Sequence, residues 1–354
     1  MAELRPYKIG DEEGIVKLFN EVFNKNRNVE YWKWEFLKNP YGQGVMALED
    51  ENGRIVGQCT LLPSKMQLGG REVLGGQSID AMVHKDFRRR GYYEHMAFYS
   101  YELGIKRDIK FRYGFPSKPA LQGILEKLGG SLVCDIPLYM DVYRIDNLME
   151  DLIKNKILSK ILAVPAMLMV KIYRGKVIKS KNTYEIEEIT SFDNRFDEFW
   201  KEVKDKYPTM TARESVFLNW RVKDHPTIPY KTFAAVKDGN IKGYIIFKVE
   251  EKLVRGKYPL KFGSIVDLVG ENEDVIVCLY EKAKEYLKTD GVNFTVCWIL
   301  NGMIYGETIK KLGFIKTKST IPFAVKNLTE NHEIDPYIFE EKNWYLMPIE
   351  SDIY

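Results

Sequence analysis

Residues 78–96 read SIDAMVHKDFRRRGYYEHM. An apolar run ends at Val83, a turn follows, and Arg88, Arg89 and Arg90 lead through Gly91 into a helical segment from about Tyr92. A helix start offers amides without intrahelical partners and the positive end of its dipole. Glycine lets that backbone come close to a ligand, and arginines add charge. Strand, basic glycine-bearing turn and helix in this order form a cradle for a pyrophosphate or similar polyanion. The competing structural reading is a solvated basic turn.

The flanking sequence extends this frame in both directions. Upstream, a short strand over Leu4–Lys8 precedes a helix with Asp11 as N-cap and Ile15, Leu18, Phe19 and Val22 inward. Strands follow at Val45–Leu48 and Ile55–Leu62, joined by the Glu51-Asn52-Gly53 turn. Gly69-Gly70 closes a hairpin between Lys65–Leu68 and Arg71–Leu74. Downstream come a strand at Lys110–Tyr113 and a helix from about Pro119 to Leu128. Strands first, then β-α-β-α, predicts an α/β (α+β layered) domain: a mixed, mostly antiparallel sheet flanked by helices.

The same order is written twice. YWKWEFLKNP at 31–40 aligns with FLNWRVKDHP at 217–226 when Trp34 is set on Trp220, an offset of 186. That offset also matches Pro40 with Pro226, Gly53 with Gly239, Gly57 with Gly243, Ser78 with Ser264 and Ile79 with Ile265. KLGG at 127–130 matches KLGF at 311–314. Two tandem domains, 1–149 and 184–327, follow, with a basic apolar linker at 150–183 and an acidic tail at 328–354. The length of 354 residues agrees, at ~150 residues per domain. At the matched place the second copy reads Gly-Glu-Asn-Glu and then Asp274-Val-Ile-Val277. Acid replaces base there, so one anion site per chain is expected, in the first copy.

Composition sets limits on partners. At 45% hydrophobic and 29% charged the chain builds full cores, which excludes wholesale disorder. Its 53 basic residues against 50 acidic leave +3, too balanced to make nucleic acid the default partner, so none is expected. The opening MAELRPYKIGDEEG carries no apolar signal segment, and no run approaches the ~20 apolar residues of a bilayer span. Cys59, Cys134, Cys278 and Cys297, and four histidines, stand singly without metal-ligand spacing. No metal is expected, and buried thiols suit the cytoplasm. Residues 152–183 hold eight Lys or Arg and no acid, with apolar residues interleaved. Such a helix either lies on an anionic membrane surface or packs its apolar side as a linker broken at Pro165; the linker reading is preferred.

The 78–96 stretch resembles motif A of the GCN5-related N-acetyltransferases, Gln/Arg-x-x-Gly-x-Gly/Ala, with Arg88 in the first position and Gly91 as the glycine. Tyr93 departs from the pattern where the family has Gly or Ala. LRPYKIGDEEGI, the Gly-Arg-Ile-Val-Gly hairpin and Gly114-Phe-Pro-Ser extend the likeness over most of residues 3–135, and more weakly over 184–320. The resemblance implies acetyl-CoA as cosubstrate. Met82 and Val83 would bond the pantetheine and the thioester carbonyl, the N–H groups of Arg88, Arg89, Arg90, Gly91, Tyr92 and Tyr93 would hold the pyrophosphate, and Ser117 would line the other wall.

The implied reaction is direct acyl transfer to a primary amine of a small molecule or peptide. An alkylammonium of pKa ~10.4 must first lose a proton. Asp80, a carboxylate in an apolar strand, is the candidate base; its structural alternative is an acid bonded to backbone, Tyr or Arg. Strand alternation puts Asp80 and Met82 on one face. By analogy with tandem relatives, Asp352 or the Tyr354 carboxylate would be the base instead. Relatives place a Tyr acid where this chain has Leu125, which leaves Tyr92, Tyr93 and Tyr113 as candidates. Two alternatives stand beside this reading: an aminoacyl-tRNA-dependent aminoacyl transferase, and a non-catalytic CoA-binding scaffold.

Overall fold

The computed structural model describes all residues except 1, 2, 146–148, 150–152, 154, 175, 182, 183, 255–257, 301, 304, 331 and 352–354. It divides into two compact units, neither a continuous stretch of chain. The first comprises Met1–Asp135, Lys204–Thr227 and Ile321–Tyr345; the second comprises Ile136–Val203, Ile228–Thr320 and Leu346–Tyr354. The elements of the first half are β1 (Glu3–Pro6), α1 (Glu12–Phe23), α2 (Val29–Leu37), β2 (Val45–Glu51), β3 (Arg54–Leu68), β4 (Arg71–Val83), α3 (Tyr92–Ile105), β5 (Ile109–Gly114), α4 (Lys118–Glu126) and β6 (Ser131–Val142). Helix α5 (Lys156–Arg174) follows, then β7 (Glu185–Glu188), α6 (Asn194–Val203), β8 (Thr209–Thr211), α7 (Ser215–Leu218), β9 (Lys231–Lys237), β10 (Asn240–Val254) and β11 (Tyr258–Gly270). The chain ends with α8 (Glu273–Thr289), β12 (Phe294–Trp298), α9 (Gly306–Lys311), β13 (Ile315–Asn327) and α10 (Asp335–Ile338).

In the first unit β1, β2, β3 and β4 pair antiparallel in chain order, and β4 then pairs parallel with β5. The strand beyond β5 is the end of β13, antiparallel, with Lys326 opposite Arg112 and Ala324 opposite Gly114. The second unit repeats the pattern: β7, β9, β10 and β11 antiparallel, β11 parallel with β12, and β12 antiparallel with the end of β6. The mixed α/β layering read from the sequence is the fold of each unit. The Gly69-Gly70 hairpin forms as expected, both glycines at positive φ between Leu68 and Arg71.

Two local expectations change. Asp11 occupies the N-cap position of α1 but bonds no helix amide. Its carboxylate instead accepts from Arg5 Nη1 and Nη2 at 2.7 and 2.8 Å and from the Lys8 amide at 2.8 Å. A charged bidentate donor outcompetes a neutral amide. Pro165 does not break its helix, because α5 runs through it.

The core that bears on the site lies under α3 and α4. Val45, Ala47, Cys59, Leu61, Ile109 and Ala324 of the sheet pack with Met96, Ala97, Tyr101 and Ile124. Burial of each large apolar side chain is worth about 1.5–3 kcal/mol. The duplicated tryptophans meet each other. Trp34 and Trp220 stack at 5.5 Å between ring centroids, and each indole N–H donates to the other's carbonyl at 3.0 Å. Trp34 and Trp220 are thus both core residues. The tail also docks: Trp344 is buried against Phe323 (4.7 Å) and Tyr113 (6.2 Å), its indole donating to Ile338 O at 2.9 Å.

Candidate active site

Strands β4 and β5 are paired only from Leu74/Ile109 to Gln77/Tyr113. Beyond that the strands part, and Ser78 to Val83 keep partners on β3 but have none on the β5 side. Gly114 marks the fork. A Cβ on it would lie 3.2 Å from the Ser78 carbonyl, so a side chain there would force the strands wider. Within the free stretch Asp80 and Ala81 together oppose Cys59, a β-bulge with Asp80 at φ 48°. The bulge overrides the strict alternation read from the sequence. A non-glycine residue held left-handed stores strain that the surroundings must enforce.

Those surroundings are ionic. Arg27 Nη1 donates to Asp80 Oδ2 in a very short contact, and its Nη2 lies 3.5 Å from Asp80 Oδ1 and 3.4 Å from Glu35 Oε2. The guanidinium carbon sits 3.5 Å from the centroid of the Phe19 ring. Asn20 fixes the Arg27 backbone with two bonds, 2.7 and 2.9 Å. Burial pushes the Asp80 carboxyl above its ordinary range, against the pull of Arg27. One arginine thus serves two buried carboxylates.

Val83 leads to a single turn of 3-10 helix at Lys85–Phe87, capped by His84 Nδ1, which accepts from the Asp86 amide at 3.3 Å. Arg88 Nε donates to Val83 O at 3.2 Å, and Arg90 lies over the Phe87 ring at 4.9 Å. Arg88 and Arg90 are thus held along the turn, and all three arginines are exposed. Gly91, at φ 81°, takes the N-cap of α3, and no side chain caps the helix. The first bond of the helix runs from the His95 amide to Gly91 O at 3.1 Å. The amides of Tyr92, Tyr93 and Glu94 therefore have no intrahelical partner.

The remaining sequence candidates are placed as follows. Met82 is buried, and Met82 and Val83 pair with Gln58 and Gly57. Ser117 is exposed at the N-cap of α4. Tyr93 is largely buried, its carbonyl facing the Cys59 thiol, and burial raises its hydroxyl above the ordinary tyrosine range. Tyr113 is engaged elsewhere, donating to Ser64 Oγ at 2.9 Å. Burial pushes the Cys59 thiol up to about 12, so it is no nucleophile at neutral pH. Asp352 and Tyr354 lie outside the described residues.

Arg112 is the residue sequence reading missed. Phe111 and Tyr113 turn toward Trp344, so alternation sends Arg112 to the opposite face of β5, near Tyr93 and Tyr101. It is 2% exposed, and its Nε and Nη1 have no hydrogen-bond partner. Among the described residues no carboxylate lies within ion-pair distance of it. Lys326, opposite on β13, is held below the usual lysine range by burial and by Arg112's like charge. Nη2 reaches toward the fork, 3.9 Å from where a Cβ of Gly114 would sit. A buried guanidinium without a counter-charge is costly unless an anion joins it.

In the second unit β11 also loses its parallel partner after Ser264/Val296 and carries a bulge at the matching place. Its helix start is different. Asn272 accepts from the Val275 amide at 3.1 Å, and the Tyr305 hydroxyl donates to the Gly270 carbonyl in a very short contact.

The parted strands thus leave a free backbone edge near an uncapped, glycine-led helix start, a place where an anionic ligand can be held. Residues 3–131 match the family model of the acetyltransferase (GNAT) domain, so this stretch of the chain is similar to that family. Among solved structures, a GCN5-related N-acetyltransferase from Anabaena variabilis superposes with a TM-score of 0.66 at 11% identity, over 93% of this chain and 73% of that one. Saccharomyces cerevisiae N-myristoyltransferase with bound myristoyl-CoA superposes with a TM-score of 0.63 at 12% identity, over 92% and 82%. A search of curated protein sequences finds no match.

Proposed function

We propose that the chain is an N-acetyltransferase that moves an acetyl group from acetyl-CoA to a primary amine of a small molecule or peptide, with one CoA site per chain. The observation that carries this reading is the uncapped start of α3 at Gly91, set directly after the unpaired edge of β4. The amides of Tyr92 and Tyr93 with Arg88, Arg89 and Arg90 would hold the pyrophosphate, Met82 and Val83 the pantetheine, and Ser117 would stand at the far wall. The thioester supplies an activated acyl carbon with a good leaving group. Asp80, its carboxyl raised by burial, would take the ammonium proton. The amine nitrogen then bonds the carbonyl carbon, the C–S bond breaks with its electron pair leaving on sulfur, and the nitrogen's second proton passes in net to the thiolate. Arg112 would face the charge that develops there, with the Tyr93 hydroxyl as proton donor. All four cysteines are free, which suits a reducing cytoplasm.

Calorimetric titration with CoA tests the site, with one equivalent per chain expected. A stoichiometry of two, or heat protection by tRNA and not by CoA, overturns it. Thiol release from acetyl-CoA across a panel of amines, with longer acyl-CoAs in parallel, then fixes acyl length and acceptor. A chain that binds CoA but releases no thiol with any of them would be a scaffold.

A further inference from the structure

Helix α5, in the second unit, presents its apolar side outward. Ser159 and Ala163 are buried, and Arg174 anchors the end of the helix on Asp141 Oδ1 and on the Val142 carbonyl, both at 2.7 Å. The opposite side is open: Val164, Met169 and Ile172 are each 71% exposed and Tyr173 77%, with Ile161 and Leu168 beside them. A surface helix ordinarily buries its apolar stripe and solvates its polar one. Six large apolar residues left together in water mark an interaction surface. This overturns the preferred linker reading, in which that side packs away.

The charge around the patch selects the occupant. Residues 152–183 carry eight Lys or Arg and no acid. Lys171, Lys176 and Lys179 are exposed and make no ion pair among the described residues. Two copies joined through this face would bring lysine against lysine, which opposes association. No described helix is long and apolar enough to cross a membrane, so insertion through a bilayer is not the use of this one. We propose that α5 seats the protein on an anionic lipid surface, its apolar side in the boundary between headgroups and acyl chains and its lysines on lipid phosphates. This surface lies outside the proposed acyl-transfer site and does not depend on it.

Flotation of the full chain with vesicles of phosphatidylcholine, alone or mixed with phosphatidylglycerol, tests the assignment. Binding is expected to the mixed vesicles only, and to weaken with salt. The double variant Val164→Glu, Ile172→Glu should bind about tenfold less, and the triple variant Lys171→Gln, Lys176→Gln, Lys179→Gln a few-fold less, with a shallower salt dependence. Both alter exposed side chains, and unchanged thermal melting verifies their folding. Failure to float with mixed vesicles, or equal flotation of the Glu variant, overturns the proposal. So does a wild-type dimer in light scattering that the Glu variant turns monomeric without any lipid binding, which would assign the face to a second copy.

Discussion

The starts of α3 and α8 hold corresponding places in the two copies and solve the same problem in opposite ways. Between β4 and α3 lie residues 84–91, with three arginines, a glycine cap and amides left open. Between β11 and α8 lie only residues 271 and 272. There Asn272 fills the cap, Glu273 pairs with Lys311 at 2.8 Å, and Asp274 accepts from Ser180 and the Lys181 amide. The second copy has not merely exchanged basic residues for acidic ones. It has a shorter turn and begins the helix earlier, and the Asn272 side chain closes one of the amides that α3 leaves open. A helix that satisfies itself costs nothing to keep, whereas one left open is retained at a loss of stability. That loss is the mark of use.

The largest effect should come from giving the first copy the charge of the second. Arg88→Glu, Arg89→Glu, Arg90→Glu should weaken CoA binding by calorimetry about a hundredfold while the melting temperature moves by only a few degrees. Unaltered affinity would mean that the two starts do not differ in ligand binding. Next comes Arg112→Met, which should slow thiol release about tenfold or more yet leave thermal stability equal or higher, since it removes an unpaired buried charge. Loss of stability together with activity would make Arg112 a structural residue. Asn272→Ala should cost about 1 kcal/mol in denaturant unfolding and leave CoA affinity untouched. Smallest is an effect on which the copies agree. Asp11 and Asp193, each at the start of its copy's first helix, are pushed up by burial but pulled further down by Arg5 and Arg195, to a net position below the ordinary aspartate value. The native state therefore favours their ionised forms, which stabilises the fold fully above pH about 4 and less as pH falls through their lowered values. Melting temperatures between pH 6 and 3 should fall less steeply in Asp11→Asn, Asp193→Asn.

The fold was legible because its signals are local. The turn glycines Gly53 and Gly239 both sit at positive φ, at +84° and +77°, and the 186-residue offset that pairs them also pairs Trp34 with Trp220. The anion turn was legible for the same reason, since strand, arginines and glycine are contiguous. What the sequence concealed depends on distant partners. Arg112 reads as an ordinary strand residue until β13, some two hundred residues later, is laid beside it and closes off solvent. The bulge at Asp80 is set by how many residues β3 has to match, and its tie to Arg27 spans 53 positions. The outward apolar side of α5 was unreadable because periodicity shows that a stripe exists, not which way it faces.

The register of Ala324–Asn327 on β5 also dictates when the protein can mature. During translation residues 1–135 emerge early, yet their unit is completed only by 204–227 and 321–345. The nascent chain must therefore carry an open β5 edge until residues 321–345 have emerged, and a ribosome stalled before Ile321 would display that edge to any neighbouring strand. Synthesis of this last segment, more than that of the first 135 residues, sets the moment at which the unit becomes safe from aggregation.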